Sequence, residues 1–153
     1  GHEVRQRPHQ VVQGHRVASG LNGNPRFPGG TLHMQRPHFA ALGLDLSAFY
    51  LGTLNVSITP MSYTVLKPKL TFENLKWHPT EPAETFSFFD VAVHLDADPS
   101  VSGLIYYPHP ETKPEHHQRA DVLELLLPFT QGLNYGSQIT LEVPPQQMAF
   151  FHH

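Results

Sequence analysis

A chain of 153 residues with 39% hydrophobic side chains can bury one core but is short for two ordinary domains. We therefore expect a single domain over residues 1–153, with peripheral tails at 1–9 and 144–153. The absence of cysteine excludes disulfides, zinc–thiolate sites, iron–sulfur clusters and thiol nucleophiles. The arginines of residues 1–40 are too sparse for a nucleic-acid footprint, which usually requires a clustered basic face and a pI well above the 6.5 of this chain. Without a secretion signal or an apolar run of about 20 residues, we expect a cytoplasmic protein with no membrane partner.

Fifteen prolines separate short apolar runs, which favours strands joined by stiff loops over long helices. Six runs that alternate and contain β-branched or aromatic residues are predicted strands: 10–18, 52–59, 84–96, 102–107, 121–127 and 138–143. One short helix is predicted near 36–42, with Pro37 in its first turn and Gly43 at its C-terminal cap. These elements predict a mostly β fold, a small six-stranded closed barrel with one or two short helices, because closure removes exposed sheet edges.

Three connections between the predicted strands stand out: 20–31, 60–82 and the polar, histidine-rich 108–118. The first, residues 20–31, is rich in glycine and follows a strand, so its backbone N–H groups are suited to binding phosphate. The arginines of residues 1–40 also suit a small anionic ligand. The loop lacks the Walker lysine and the GxGxxG spacing, so a structural turn is the open alternative. The second connection, 60–82, has no chemical cluster, and residues 67–77 within it are equally compatible with an edge strand.

The strand predicted at 52–59 has one apolar and one polar face, because successive side chains of a strand point to opposite sides. The polar face carries Thr53, Asn55 and Ser57. A hydroxyl and an amide oxygen are hard ligands that suit a partly hydrated Mg²⁺ bound to a substrate's phosphates. The alternative is a polar strand face in contact with solvent.

Glu124 is a single carboxylate in the leucine-rich run 121–127, on the same face as Val122 and Leu126. Apolar neighbours disfavour the ionised carboxylate, as is typical of a general base or a group that positions a hydroxyl. The alternative is an edge-strand charge that points to water and prevents edge pairing.

The twelve histidines suggest a metal site as a further possibility. His94 and Asp96 share a strand face, and His109, His116 and His117 lie downstream, a set that would fit a two-histidine, one-carboxylate iron site. The spacings of known metal motifs are absent, and histidine in a polar loop is commonly a surface residue.

In order along the chain, five stretches resemble the CTP-dependent riboflavin kinase family: VASGLNG, FAALG, GTLNVSI, SGLIYYP and DVLELLLPFTQGLNYGSQITLEV. The resemblance implies a cradle-loop barrel that transfers the γ-phosphoryl group of CTP to the 5′-hydroxyl of riboflavin, giving FMN. It further implies that Thr53 and Asn55 bind Mg²⁺ and that Glu124 lies near the ribityl hydroxyl of the flavin.

The resemblance also assigns a nucleotide loop, which corresponds to Ser19, Gly20, Leu21, Asn22 and Gly23. His116 and His117 lie close to the position of a short histidine-containing stretch of the family and are candidates for flavin binding.

Three hypotheses follow. The first is a riboflavin kinase, or a close variant with another nucleotide or acceptor, that uses Mg²⁺. The second is a family member that binds a flavin, a nucleotide or another small anion without transfer. Asn22, Gly23 and Asn24 favour this second hypothesis, because they stand where the family has Gly-Glu-Gly. The third is a His/Asp metal-binding β-barrel.

Overall fold

The computed structural model describes residues 10–19, 31–49, 54–80, 82–94, 100–109, 121–128 and 138–152. Within these ranges the protein is mostly β, which confirms the predicted class. Its elements in chain order are β1 (Gln10–Ser19), α1 (Thr31–Ala41), β2 (Leu54–Ser57), β3 (Met61–Val65), β4 (Leu70–Leu75), β5 (Glu84–His94), β6 (Val101–Pro108), β7 (Val122–Leu126), β8 (Gln138–Val143) and β9 (Met148–His152).

Six antiparallel strands close into a barrel in the order β5-β6-β7-β2-β1-β8, with β8 pairing back onto β5. These six strands are the six predicted from the sequence, so the predicted closed barrel is confirmed. Strand β5 is long enough to pair with β8 through its C-terminal end and with β4 through its N-terminal half. Strand β4 is therefore an additional edge strand beside the barrel, as the pattern of residues 67–77 allowed.

Alternation along the barrel strands separates two apolar clusters. One fills the barrel and consists of Val12, Val56, Ile58, Phe89, Val91, Val93, Ile105, Leu123, Leu125, Leu127, Ile139, Leu141, Val143 and Met148. The other, the outer apolar cluster, lies outside the barrel between the sheet and α1. It consists of Phe39, Leu46, Trp77, Phe86, Phe88, Leu104, Tyr106 and Leu126. Strands β5, β6 and β7 are thus buried on both faces, which explains their nearly continuous apolar runs.

Helix α1 differs from its prediction at one end. It begins at Thr31, so Pro37 lies inside the helix and the expectation of Pro37 in the first turn is wrong. The helix extends further because Met34 before the proline and Phe39 after it both pack in the apolar cluster between α1 and the sheet, and this burial outweighs the local cost of proline. The predicted cap is confirmed: Gly43 has φ of 103°, and the N–H of Leu44 donates to the carbonyl of Phe39 at 2.9 Å.

Strands β3 and β9 form a separate two-stranded antiparallel sheet. Neither strand was predicted. Strand β3 lies in the connection 60–82, and β9 lies in the segment 144–153, for which we expected a peripheral tail. Met148 of β9 is fully buried in the barrel cluster, and Tyr63 and Phe150 pack against the same cluster.

Candidate functional site

The predicted polar residues Asn55 and Glu124 lie directly opposite each other on neighbouring strands β2 and β7. Their neighbours Val56 and Leu123 are buried inside the barrel, so Asn55 and Glu124 face the outside. Glu124 is in turn directly opposite Tyr106 on β6. Three polar side chains therefore follow one another across the outer face of β2, β7 and β6, with directly opposite Cβ atoms about 5 Å apart.

Strand β1, the other neighbour of β2, has an irregularity next to Asn55. Arg16 pairs with Val56 and Ala18 pairs with Asn55, so one extra residue of β1 forms a bulge at the level of Asn55. Bulges are over-represented next to active sites, where they interrupt pairing and reorient the chain. The last residue of β1, Ser19, pairs with Leu54, so β1 ends beside the strand that carries Asn55.

The side-chain oxygen Oδ1 of Asn55 is buried, and no described residue donates a hydrogen bond to it. Buried carbonyl oxygens are almost always paired, so this oxygen is available for a ligand. An amide oxygen is a hard ligand that fits Mg²⁺, which usually takes few protein ligands and keeps water and phosphate oxygens in its remaining positions. The described residues contain no group of three or more His, Cys, Asp or Glu able to hold a metal on their own.

Glu124 is half-buried and lies near two tyrosines. Burial raises the pKa of Tyr106 well above its usual value, and the negative charges of Glu124 and Glu84 raise it further. Burial is also the largest cause of the raised pKa of Tyr63, followed by Tyr107 and Glu124. Both phenols therefore remain neutral hydrogen-bond donors at physiological pH.

Gln35 and Tyr106 were not predicted as site residues. The hydroxyl of Tyr106 donates to Oε1 of Gln35 at 2.6 Å, and this bond connects β6 to α1 under the outer apolar cluster. Gln35 is fully buried, and its Nε2 has no acceptor in the part of the chain that the structure describes. The signal in the sequence was the spacing of Gln35 and Phe39, which places a polar side chain on the buried stripe of a helix.

The histidine hypothesis is only partly covered by the described residues, since Asp96, His116 and His117 lie outside them. His94 forms a 2.5 Å contact with Glu142 at the C-terminal end of β5. His109 contacts Ser87 at 2.7 Å, and its backbone N–H donates to Thr85 near the other end of β5. Ser87 is seven residues from His94 along β5, so the two imidazoles are separated by roughly 23 Å and do not join in one metal site.

Four of the nucleotide-loop residues, Gly20, Leu21, Asn22 and Gly23, and the second predicted magnesium ligand, Thr53, lie outside the described residues. Ser19 is described only through its backbone.

A groove of about 300 Å³ lies on another side of α1 and is lined by Arg36, Pro37, Ala40, Asp45 and Leu46. The backbone N–H of Ser47 donates to Asp45, and this hydrogen bond lowers the pKa of that carboxyl below its usual value. The groove contains none of the predicted site residues.

Comparison of the sequence with protein-family models and with characterised proteins finds no match. Among the described residues, no helix has the length and apolar character needed to cross a membrane.

Proposed function

We propose that this protein is a CTP-dependent riboflavin kinase or a close variant, which transfers a phosphoryl group from a nucleotide to the 5′-hydroxyl of riboflavin with the help of Mg²⁺. The observation that carries the proposal is the buried, unpartnered Oδ1 of Asn55 directly opposite Glu124. The resemblance of the GTLN stretch and of the strand containing Glu124 to that kinase family supports the same assignment. The proposal includes a cytoplasmic location.

In this proposal, Asn55 and Thr53 hold the cation. Bound Mg²⁺ would neutralise charge on the phosphates of the nucleotide, which is the main requirement of phosphoryl transfer besides positioning. Asn55 contributes a neutral oxygen, so the cation keeps its charge for the phosphates. Strand β1 ends at Ser19, which pairs with the neighbour of Asn55, and in this proposal residues 19–23 bind the nucleotide.

Glu124 would accept the proton of the riboflavin 5′-hydroxyl. The 5′-oxygen of riboflavin then bonds to the γ-phosphorus, while the bond between the γ-phosphorus and the oxygen that leaves with CDP breaks. Its position directly opposite Asn55 and Tyr106 on the outer face suits this role, because a base must lie within hydrogen-bond reach of the hydroxyl that it deprotonates.

A second candidate is a protein that binds a flavin or a nucleotide without transfer. The loop sequence favours it, because Asn22, Gly23 and Asn24 replace the glycines and glutamate of the family's loop. Asparagine adopts left-handed backbone more readily than most residues, but its side chain occupies space that glycine leaves for a phosphate.

The test is an assay of FMN formation from riboflavin with CTP, ATP or GTP, each with and without Mg²⁺, together with thermal shifts for each ligand. The proposed kinase forms FMN with Mg²⁺ and prefers one nucleotide. Ligand stabilisation without FMN would support the binding protein instead. Absence of both turnover and stabilisation would refute both candidates.

Variants at the two site residues make the test specific. Asn55→Ala should abolish Mg²⁺-dependent stabilisation by nucleotide, and Glu124→Gln should keep flavin binding while turnover falls about 10²- to 10⁴-fold. Ser57→Ala is the matched control, because Ser57 lies on β2 two residues from Asn55 and its hydroxyl bonds only locally to Thr59 among the contacts described. If nucleotide with Mg²⁺ stabilises Asn55→Ala as much as the wild type, Asn55 is not a magnesium ligand. If Glu124→Gln retains full turnover, Glu124 is not the general base.

A further inference from the structure

The groove beside α1 carries one positive and one negative side chain on an otherwise apolar lining. It has a volume of about 300 Å³ and is lined by Arg36, Pro37, Ala40, Asp45 and Leu46. Arg36 and Ala40 lie on the same face of the helix, because side chains four positions apart are neighbours. Leu46 packs in the outer apolar cluster and is only 3% exposed, so the apolar part of the lining has a fixed position.

The two charged side chains of the groove are held apart. The backbone N–H of Ser47 donates to Asp45 at 2.9 Å and is the main cause of the lowered pKa of that carboxyl, and the positive charge of Arg36 lowers this pKa further. Nevertheless, no nitrogen of Arg36 lies within 4.0 Å of a carboxylate oxygen of Asp45, although the structure describes both side chains. A short gap therefore separates two opposite charges that line the same groove.

This arrangement gives the groove a positive end and a negative end. Asp45 follows the C-terminus of α1, where the helix dipole places partial negative charge. A guanidinium group binds a carboxylate through two parallel hydrogen bonds, and a carboxylate accepts hydrogen bonds from an ammonium group. The volume is at the lower limit of small-molecule sites, about 300–1,000 Å³, so it suits a ligand smaller than a flavin or a nucleotide.

We propose that this groove is a binding site for a small zwitterion, a free α-amino acid with an aliphatic side chain. The carboxylate of the ligand pairs with Arg36 and its ammonium group pairs with Asp45, while its side chain contacts the apolar lining. Both charged groups of an α-amino acid are bonded to one carbon atom, so the ligand spans a short gap between opposite charges. The groove shares no residue with the proposed kinase site, so the two assignments stand or fall separately.

The experiment titrates leucine into the purified, isotope-labelled chain and follows the amide chemical shifts of residues 36–48 by NMR. These shifts should saturate with a dissociation constant of about 1 mM, because exposed charge pairs and a small apolar contact each contribute modestly. Isocaproate has the same carbon skeleton without the ammonium group, and isoamylamine has it without the carboxylate. Each should bind about five- to tenfold more weakly than leucine. Glycine, which lacks the aliphatic side chain, should also bind more weakly.

Variants at the two charges assign each ligand group to its partner. Asp45→Asn keeps an acceptor for Ser47, and it should weaken leucine about fivefold while isocaproate changes by less than about twofold. Arg36→Gln should weaken leucine and isocaproate about tenfold and leave isoamylamine unchanged. Glu73→Gln is the matched control, because Glu73 is an exposed charge on β4 outside the groove, and it should affect none of the ligands. Structural damage would weaken all three ligands equally.

Ala40→Leu tests the groove without changing either charge. Ala40 is exposed and leucine is a strong helix former, so the melting temperature should stay within about 2 °C of wild type while ligand binding is lost.

Four outcomes would overturn the proposal: no saturable shift at residues 36–48 in the wild type, isocaproate and isoamylamine binding as tightly as leucine, equal weakening of all three ligands in the charge variants, or unchanged leucine binding in Ala40→Leu. Shifts of the same amides that grow with protein concentration in the absence of ligand would also overturn it, because they would identify the groove as a contact between two copies of the chain.

Discussion

Gly103 of β6 allows strand β7 to approach closely, and Gly103→Ala should therefore destabilise the protein. A Cβ atom at this position would lie 2.4 Å from the backbone oxygen of Leu126 and 2.4 Å from Cδ2 of Leu127, where ordinary contacts are 3.4–4 Å. The end of β7 would have to move by about 1 Å. Overpacking of a core costs about 1–3 kcal/mol, and we expect the upper part of this range because a backbone atom cannot rotate away.

The loss should appear in urea unfolding followed by circular dichroism, and as a fall in Tm of roughly 4–12 °C for a chain of this size. Leu126 lies two residues after Glu124, so the same variant should also weaken ligand binding at the candidate site. A free energy of unfolding within about 0.5 kcal/mol of wild type would refute the reasoning, because surface substitutions typically have effects of that size.

Gly14→Ala is the matched control for Gly103→Ala. Its added Cβ would lie 2.6 Å from Cγ1 of Val56, a side-chain atom that a second substitution can remove. We expect Val56→Ala to tolerate the added methyl group at Gly14 better than the wild-type background does. No single side-chain truncation should relieve Gly103→Ala in the same way, because one of its two clashes is with backbone.

Two further predictions concern the buried aromatic residues. Burial raises the pKa of Tyr63 and Tyr106, so both retain their protons in the folded protein while the unfolded chain loses them above about pH 10. Stability should therefore be unaffected below pH 10 and fall above it by about 1.4 kcal/mol per pH unit for each tyrosine. Urea titrations between pH 8 and 11 should show this fall reduced in Tyr63→Phe, and equal slopes in the two proteins would contradict it. Phe39→Ala should cost about 3–5 kcal/mol in urea unfolding, because Phe39 is fully buried and makes edge contacts with Phe86 and Phe88 at 5.2 Å. A loss below about 1 kcal/mol would mean that α1 does not pack on the sheet as described.

Local patterns predicted most of the barrel, because its six strands carry their own signals. Residues 84–94 and 102–107 combine alternation with aromatic and β-branched residues, and each became a barrel strand. Strand β3 lacked such a signal, since it is short and lies between Pro60 and Pro68. Helix α1 begins earlier than predicted because Met34 packs against the outer apolar cluster, a tertiary contact that no local pattern reveals, and this packing outweighs the start signal at Pro37.

In the candidate site too, some features follow from local sequence and others depend on strand pairing. Period-two alternation is a local property, so residues 52–59 alone predict that Asn55 is on the polar face of its strand and that Val56 points into the core. The pairing of Asn55 with Glu124, and of Glu124 with Tyr106, depends on which strands become neighbours and in which register when the barrel closes. The hydrogen bond between Gln35 and Tyr106 joins residues 71 positions apart. These contacts exist only in the folded barrel, because strand order and register result from the burial of the whole core and not from any segment alone.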